Sequence, residues 1–204
     1  MNYQLFSAFL FITVLLFLTP GPIVTLVVST GASRGTSAAL SVVAGSSCGN
    51  AILIALIACG LSFVVRNAAV LFEILRWLGA AYLIWLGIQA WRHADRAVIM
   101  LPPARGVYFT RGMLVALSNP KTIAFFTAFL PQFVDPSLPI ERQLAVMCVS
   151  SVVLGAVLDS GWAAAAGWGR NWFLAPARAK LLGRVSGLAL IGGGIWLSLA
   201  RRPA

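Results

Sequence analysis

The tetrapeptide Thr19-Pro20-Gly21-Pro22 interrupts the first apolar run of the chain, which extends from Met1 to Ser33 without a charged residue. Proline lacks a backbone N–H and its ring clashes with the preceding helical turn, so two prolines and a glycine here break an α-helix. The run exceeds the roughly 20 residues that cross the hydrocarbon of a bilayer. The stretch therefore predicts a membrane-spanning helix that is divided into two half-helices.

The composition of the whole chain is that of an integral membrane protein. Of the 204 residues, 60% are hydrophobic and 10% are charged, whereas a soluble domain carries about 25% charged residues. Six apolar segments predict a single all-α transmembrane domain over residues 1–204, with no soluble domain left over. The six predicted spans are Leu5–Val28, Ala38–Val64, Val70–Trp91, Gly112–Val134, Gln143–Trp168 and Val185–Ala200.

The net charge of +10 is explained by topology rather than by nucleic-acid binding. The basic residues lie mainly between the apolar segments, where Lys and Arg fix the orientation of a membrane protein. Nine of them follow spans 1, 3 and 5, and four lie on the opposite side, so both termini are predicted to face outward. The N-terminus lacks the basic segment of a secretory signal, so the first apolar run is predicted to be retained as a span.

A second break, Asn119-Pro120, follows the first by one hundred residues. Thr19 and Asn119 are residue types that cap helix N-termini, and Pro20 and Pro120 fit the first helical position. Each half-helix start presents backbone N–H groups and a positive dipole end, which suit a carboxylate. Two interrupted spans at matching places indicate a transporter's binding site. The alternative is two kinks that only help the helices to pack.

The positions of the breaks also predict an internal repeat. Residues 1–95 and 105–204 each contain three predicted spans, and the break falls early in both sets. The third and sixth spans share a Gly-x-Ala pattern, Gly79-Ala80-Ala81 and Gly187-Leu188-Ala189. Because each set has an odd number of spans, the two copies are predicted to be inverted in the membrane.

Two charged residues, Asp159 and Lys121, lie well inside predicted spans, away from their first turns. A charge at mid-bilayer costs roughly 2.5–3.5 kcal/mol on insertion scales, so it usually faces a cavity or a partner. Asp159 is the only carboxylate well inside a span and is the candidate proton or cation site; the alternative is a hydrogen-bonded pair that locks helices. Lys121 either takes part in coupling or, if its turn lies at the membrane edge, extends to the headgroups.

The segment Gly45-Ser46-Ser47-Cys48-Gly49 matches the GxSxG pattern of serine hydrolases. That motif requires a strand-to-helix turn and a histidine, whereas this segment lies in an apolar helical run and His93 lies beyond span 3. We interpret Gly45 and Gly49 as a helix-packing face. An intramembrane serine hydrolase using Ser47 and a non-transporting membrane scaffold remain the alternatives. No catalytic residue, metal ligand or cofactor is predicted. Aromatic residues near span ends predict an interfacial belt: Trp77, Trp91, Phe133, Trp168 and Trp172.

The chain resembles the LysE/RhtB superfamily of bacterial amino-acid exporters, in particular the homoserine/threonine-exporter branch. The resemblance is carried by both breaks, with Lys121 after the second, by Asp159 and by the glycine-rich sixth span. Two further motifs contribute, Leu78-Gly79-Ala80-Ala81-Tyr82-Leu83-Ile84-Trp85-Leu86-Gly87-Ile88-Gln89 in span 3 and Pro131-Gln132-Phe133 at the end of span 4.

The resemblance implies export of an amino acid or a similar small solute across the bacterial inner membrane, coupled to proton entry, by a small homo-oligomer among membrane lipids. The substrate-binding residues would be Thr19, Pro20, Gly21, Pro22, Asn119 and Pro120, and the coupling residues would be Asp159 and Lys121. One residue departs from the family pattern, which commonly continues Pro-Gly-Pro with Asn where this chain has Ile23. A more apolar amino acid is accordingly expected as the substrate.

Overall fold

A computed structural model describes residues 1–67, 69–92, 107–169 and 176–199, and all regular elements in these ranges are helical. The prediction of an all-α protein is confirmed. The elements are α1 (Tyr3–Leu18), α2 (Pro22–Arg34), α3 (Thr36–Asn67), α4 (Ala69–Arg92), α5 (Tyr108–Leu117), α6 (Pro120–Phe129), a 3-10 turn (Leu130–Phe133), α7 (Ile140–Trp168) and α8 (Pro176–Leu199).

The described helices contain two to four candidate membrane spans by length and composition. Thr36–Gly60 of α3 and the whole of α7 are each long and apolar enough to cross a bilayer. Two more spans follow if each bent pair counts as one, since α1 meets α2 at 49° and α5 meets α6 with its 3-10 extension at 45°. In α4 the apolar part is shorter, Ala80–Gln89. Both bends lie at the predicted breaks.

Glycines bring α3 and α5 into direct backbone contact. A Cβ at Gly45 would overlap the carbonyl oxygen of Phe109, and a Cβ at Gly49 would lie 2.6 Å from that of Met113. Both glycines lie inside the uninterrupted helix α3, so the GxSxG segment has no strand-to-helix turn. The interpretation of Gly45 and Gly49 as a packing face is confirmed. His93 lies outside the described residues.

The first broken span lies alongside α7 and runs in the same direction. The ring of Phe17 in α1 packs on Gly155, and Gly31 in α2 packs on Ala163 and Ala166. At the start of both elements, the Asn2 side chain donates a hydrogen bond to the Asp135 carboxylate at 3.3 Å. The half-helices α1 and α2 therefore follow α7 along most of its length.

The remaining pair, α4 and α8, is antiparallel. Gly87 lies against Gly187, and Gly194 lies against the carbonyl of Ala80. This pair reaches the rest of the molecule chiefly through α6, where Leu83 joins a buried aromatic cluster.

Phe133 belongs to that cluster and not to an interfacial belt. Its ring is 3% exposed and meets the ring of Phe9 edge-on at 5.6 Å, because the 3-10 turn folds over the start of α1. The prediction of an interfacial Phe133 is therefore wrong. Trp77, Trp91 and Trp168 are exposed, and Trp172 lies outside the described residues.

Candidate substrate site

The first break joins α1 to α2 and is built differently from the sequence prediction. The backbone N–H and the hydroxyl of Thr19 both donate to the carbonyl of Leu15, at 3.0 and 2.5 Å, so Thr19 ends α1. Helix α2 begins at Pro22, and its N-cap is Gly21, which supplies no side-chain hydrogen bond. The predictions of Thr19 as the N-cap and Pro20 as the first helical residue are wrong, because a threonine hydroxyl can bond backward to the i−4 carbonyl.

The second break joins α5 to α6 at Ser118–Asn119 and follows the prediction. The Asn119 side-chain oxygen accepts from the backbone N–H of Lys121 at 3.1 Å, and its amide group donates to the hydroxyl of Thr122 at 2.8 Å. Pro120 occupies the first helical position. The start of α6 therefore has a side-chain cap, whereas the start of α2 has none.

Lys121 connects the two breaks. Its side chain is 8% exposed, and Nζ donates to the carbonyls of Leu16 at 2.6 Å and Thr19 at 2.5 Å. Carbonyls in the last turn of a helix lack intrahelical partners and carry the negative end of the dipole, so they attract a cation. The alternative in which Lys121 extends to the headgroups is wrong. A Cβ at Gly21 would lie 3.2 Å from Lys121 Cδ, so glycine leaves room for this side chain.

Asp159 faces the same place from α7. It is 1% exposed, and within the described part of the chain its buried Oδ1 has no hydrogen-bond partner. Asp159, Lys121, Asn119 and the start of α2 line one cavity of about 20 Å³, which we call the charged cavity. That volume admits about one water molecule. Leaving a buried polar atom unpaired is unfavourable, so this oxygen is placed for a ligand or a proton.

A larger cavity adjoins the charged cavity across the end of α1. Its volume is about 520 Å³, and α1, α4, α6 and α8 surround it. Leu16 borders both cavities, and Thr19 borders the larger one while its carbonyl binds Lys121. Except for the Thr19 hydroxyl, the described side chains that line it are apolar. We call this cavity the apolar groove.

The structure brings most of the predicted site residues together. Gly21, Asn119, Lys121 and Asp159 line the charged cavity, and Thr19 contributes its carbonyl. Apolar and hydroxyl residues that were not predicted from the sequence complete the lining. These are Leu16, Phe17, Val24 and Thr122, and their only signal in the sequence is that they flank the breaks.

The candidate site lies in a part of the chain that matches a known protein family. A model of the LysE type translocator family matches residues 14–201, which include both breaks, Lys121 and Asp159. The chain belongs to the LysE type translocator family. No solved structure matches it.

This LysE type translocator is similar to three known proteins, two of which are named as efflux proteins. A homoserine/homoserine lactone efflux protein of Salmonella typhimurium is 35% identical over 98% of this chain and 99% of its own length. An uncharacterized membrane protein of Vibrio cholerae is 31% identical over 98% of this chain and all of its own length. A leucine efflux protein of Salmonella choleraesuis is 33% identical over 60% of this chain and 59% of its own length. The named relatives are efflux transporters and not enzymes.

Proposed function

We propose that this LysE type translocator exports an amino acid or a related small solute across the bacterial inner membrane and couples export to proton entry. One observation carries the proposal: the buried ammonium group of Lys121 and the unpartnered carboxylate oxygen of Asp159 face one cavity where the two broken spans meet. Charged groups inside a membrane protein typically mark substrate or proton pathways. The efflux functions named for the relatives support the same class of solute.

The charges of the cavity complement those of a free amino acid. We propose that the substrate carboxylate binds at the start of α2, where Gly21 leaves the first backbone N–H groups without a side-chain cap and Lys121 adds a positive charge nearby. The substrate ammonium group would bind Asp159. Thr19, Pro20 and Pro22 shape the first break, and Asn119 and Pro120 hold Lys121 at the second. The start of α6 is less suited to an anion, because Asn119 already caps it.

The small volume of the charged cavity supports alternating access. A space for about one water molecule does not admit an amino acid, so binding requires the half-helices to move apart. Lys121 holds the end of α1 through two hydrogen bonds, and these bonds would break and re-form in each cycle. Protonation of Asp159 would release the substrate ammonium group, and this exchange would couple the two fluxes.

We further propose six spans in two inverted repeats. Helix α5 begins at Tyr108, next to the first part of α3, because Phe109 contacts Gly45. Helix α4 begins at Ala69, immediately after the opposite end of α3. Helix α4 would therefore have to cross the full thickness of the molecule, and α8 lies antiparallel to it. The helix contacts also have the symmetry expected of two inverted repeats. Span 1 contacts span 5, span 4 contacts span 2, and span 3 contacts span 6. A homo-oligomer, which the family resemblance implies, stays a prediction.

The test is efflux from proteoliposomes preloaded with single amino acids, with and without a proton gradient. Wild-type protein is expected to export at least one amino acid faster when the gradient is imposed. Asp159→Asn should lose this acceleration while the protein keeps its size-exclusion profile. Asp135→Asn is the matched control, because it makes the same chemical change in a loop carboxylate and should keep coupling. Unchanged coupling in Asp159→Asn would remove this residue from the mechanism.

A further inference from the structure

The apolar groove has the size and lining of a binding site for a small apolar group. Small-molecule sites typically measure about 300–1,000 Å³ and have mostly apolar walls, and the groove measures about 520 Å³. Its inner wall contains the stacked rings of Phe125 and Phe129, whose centroids are 4.7 Å apart. Among the described residues that line it, Thr19 alone has a polar side chain, and it lies at the end nearest Lys121.

The groove adjoins the charged cavity, with the end of α1 between them. Leu16 is a wall of both spaces, and the carbonyl groups of Leu16 and Thr19 are the two that Lys121 binds. A solute whose charged end lies between Lys121 and Asp159 therefore has the groove next to its other end. Ile23, which is buried and lines the charged cavity, also offers a substrate side chain no polar contact.

Two glycines of α8 keep the groove open. Among the described atoms, a Cβ at Gly192 would meet none within 4 Å, and a Cβ at Gly193 would meet only the ring of Phe129 at 3.8 Å. By contrast, Gly194 packs directly against α4 and is required there, with the carbonyl of Ala80 2.8 Å from its added Cβ. Each glycine inside a helix costs about 1 kcal/mol relative to alanine. Helix packing against the described residues does not require Gly192 and Gly193, and both line the groove.

We propose that the apolar groove holds the side chain of the transported amino acid, and that this chain therefore prefers amino acids with large apolar side chains. The inference rests on the proposed export function and adds its substrate class. The charged groups at Lys121 and Asp159 would bind the part common to all amino acids. The groove would then decide among side chains, because apolar surface gains free energy when it leaves water.

The experiment fills the groove by placing larger side chains at the two glycine positions of α8. Gly192→Leu and Gly193→Leu should lower the export of leucine relative to alanine by about tenfold or more, since pocket volume discriminates side chains at roughly this level. Gly161→Leu is the matched control: it makes the same change on α7, where an added Cβ also meets no atom within 4 Å. It should leave the ratio of leucine to alanine export unchanged.

The outcomes separate this inference from the proposed function. If neither groove variant changes the ratio of leucine to alanine export, the groove is a lipid-facing hollow and the inference is wrong. If wild-type protein exports alanine but not leucine, the inference is wrong while the export function stands. If wild-type protein exports no amino acid under any gradient, both are wrong. Equal losses of leucine and alanine export would also overturn the inference.

Discussion

Lys121 is the residue through which the two breaks contact each other. Its ammonium group satisfies two carbonyls at the end of α1, and its long side chain lies over Gly21. No feature near Lys121 in the sequence indicates these partners, because they lie 105 and 102 residues away. Asn119 was predictable as a cap because that contact is local.

Replacing Lys121 should destabilise the protein through two groups at once. Lys121→Met leaves the Asp159 carboxylate without a facing cation and the carbonyls of Leu16 and Thr19 without a donor. Leaving a buried acceptor without its donor costs about 1–3 kcal/mol. We expect a lower midpoint of thermal unfolding in detergent and no efflux. The double variant Lys121→Met/Asp159→Asn should be more stable than the sum of the single effects predicts. Strict additivity would show that the two charges do not interact.

Asp135 gives the loop before α7 a pH-dependent contribution to stability. Its carboxylate accepts from the Ser137 hydroxyl at 2.6 Å, from the Ser137 backbone N–H at 3.0 Å and from the Asn2 side chain. These hydrogen bonds lower the pKa of Asp135 below its ordinary value of 3.8. A lowered folded-state pKa adds stability that is complete above the unfolded-state pKa and is lost as pH falls through the folded-state value.

We therefore expect Asp135→Asn to lower the thermal midpoint near neutral pH, by a margin that shrinks as pH falls below the ordinary pKa of 3.8. Ser137→Ala should reproduce part of the loss at neutral pH, because it removes the hydroxyl that donates to the carboxylate at 2.6 Å. The measurement is a series of thermal unfolding curves in detergent at decreasing pH. A difference between wild type and Asp135→Asn that persists at the lowest pH would contradict this account.

At the scale of elements, the two breaks were predictable in position but only one was predictable in construction. Proline and glycine fix where a helix stops, and both bends fall at the predicted residues. Which residue caps the next helix depends on a competition between hydrogen bonds. The Thr19 hydroxyl has a carbonyl of its own helix within reach, whereas an asparagine oxygen accepts only and turns to the N–H of Lys121.

This difference predicts unequal effects of two substitutions at the breaks. Asn119→Ala should cost about 1 kcal/mol of stability, the typical value of an N-cap. Thr19→Val should have a smaller effect, because Leu15 still accepts from the backbone N–H of Thr19 after the hydroxyl is removed. Denaturation in detergent with a chemical denaturant measures both changes. If Thr19→Val costs as much as Asn119→Ala, Thr19 acts as a cap for α2 after all.

At the scale of the molecule, the pairing of helices decides the topology. Periodicity and length predict six apolar segments, but the shorter apolar part of α4 does not by itself identify a span. The sequence alone does not show the close backbone contacts that place α4 and α8 side by side, such as the contact of Gly87 with Gly187. Phe133 was misassigned for the same reason, since its burial depends on the distant Phe9.

The proposed six-span topology, with both termini outside as the charge distribution predicts, determines which side of the membrane each loop should face. In a variant with Cys48, Cys59 and Cys148 replaced by alanine, a new cysteine at Asn2 or at Ser137 should react with a membrane-impermeant maleimide from the outside. Asn2 lies before span 1. Ser137 lies after four spans, and its hydroxyl and the Asn2 side chain both donate to the Asp135 carboxylate. A new cysteine at Val107, after three spans, should react only from the inside.

The result at Val107 distinguishes six spans from four. If α4 did not cross the membrane, Val107 would remain on the side where α3 ends, which is the side of Asn2, and both cysteines would react from the outside. The contacts of α5 with the start of α3 argue against this arrangement, because they place Phe109 beside Gly45 rather than near the end of α3. Labelling of Ser137 gives a second test of the same point: after four spans it should match Asn2, whereas without a crossing by α4 it would lie after three spans and face the opposite side.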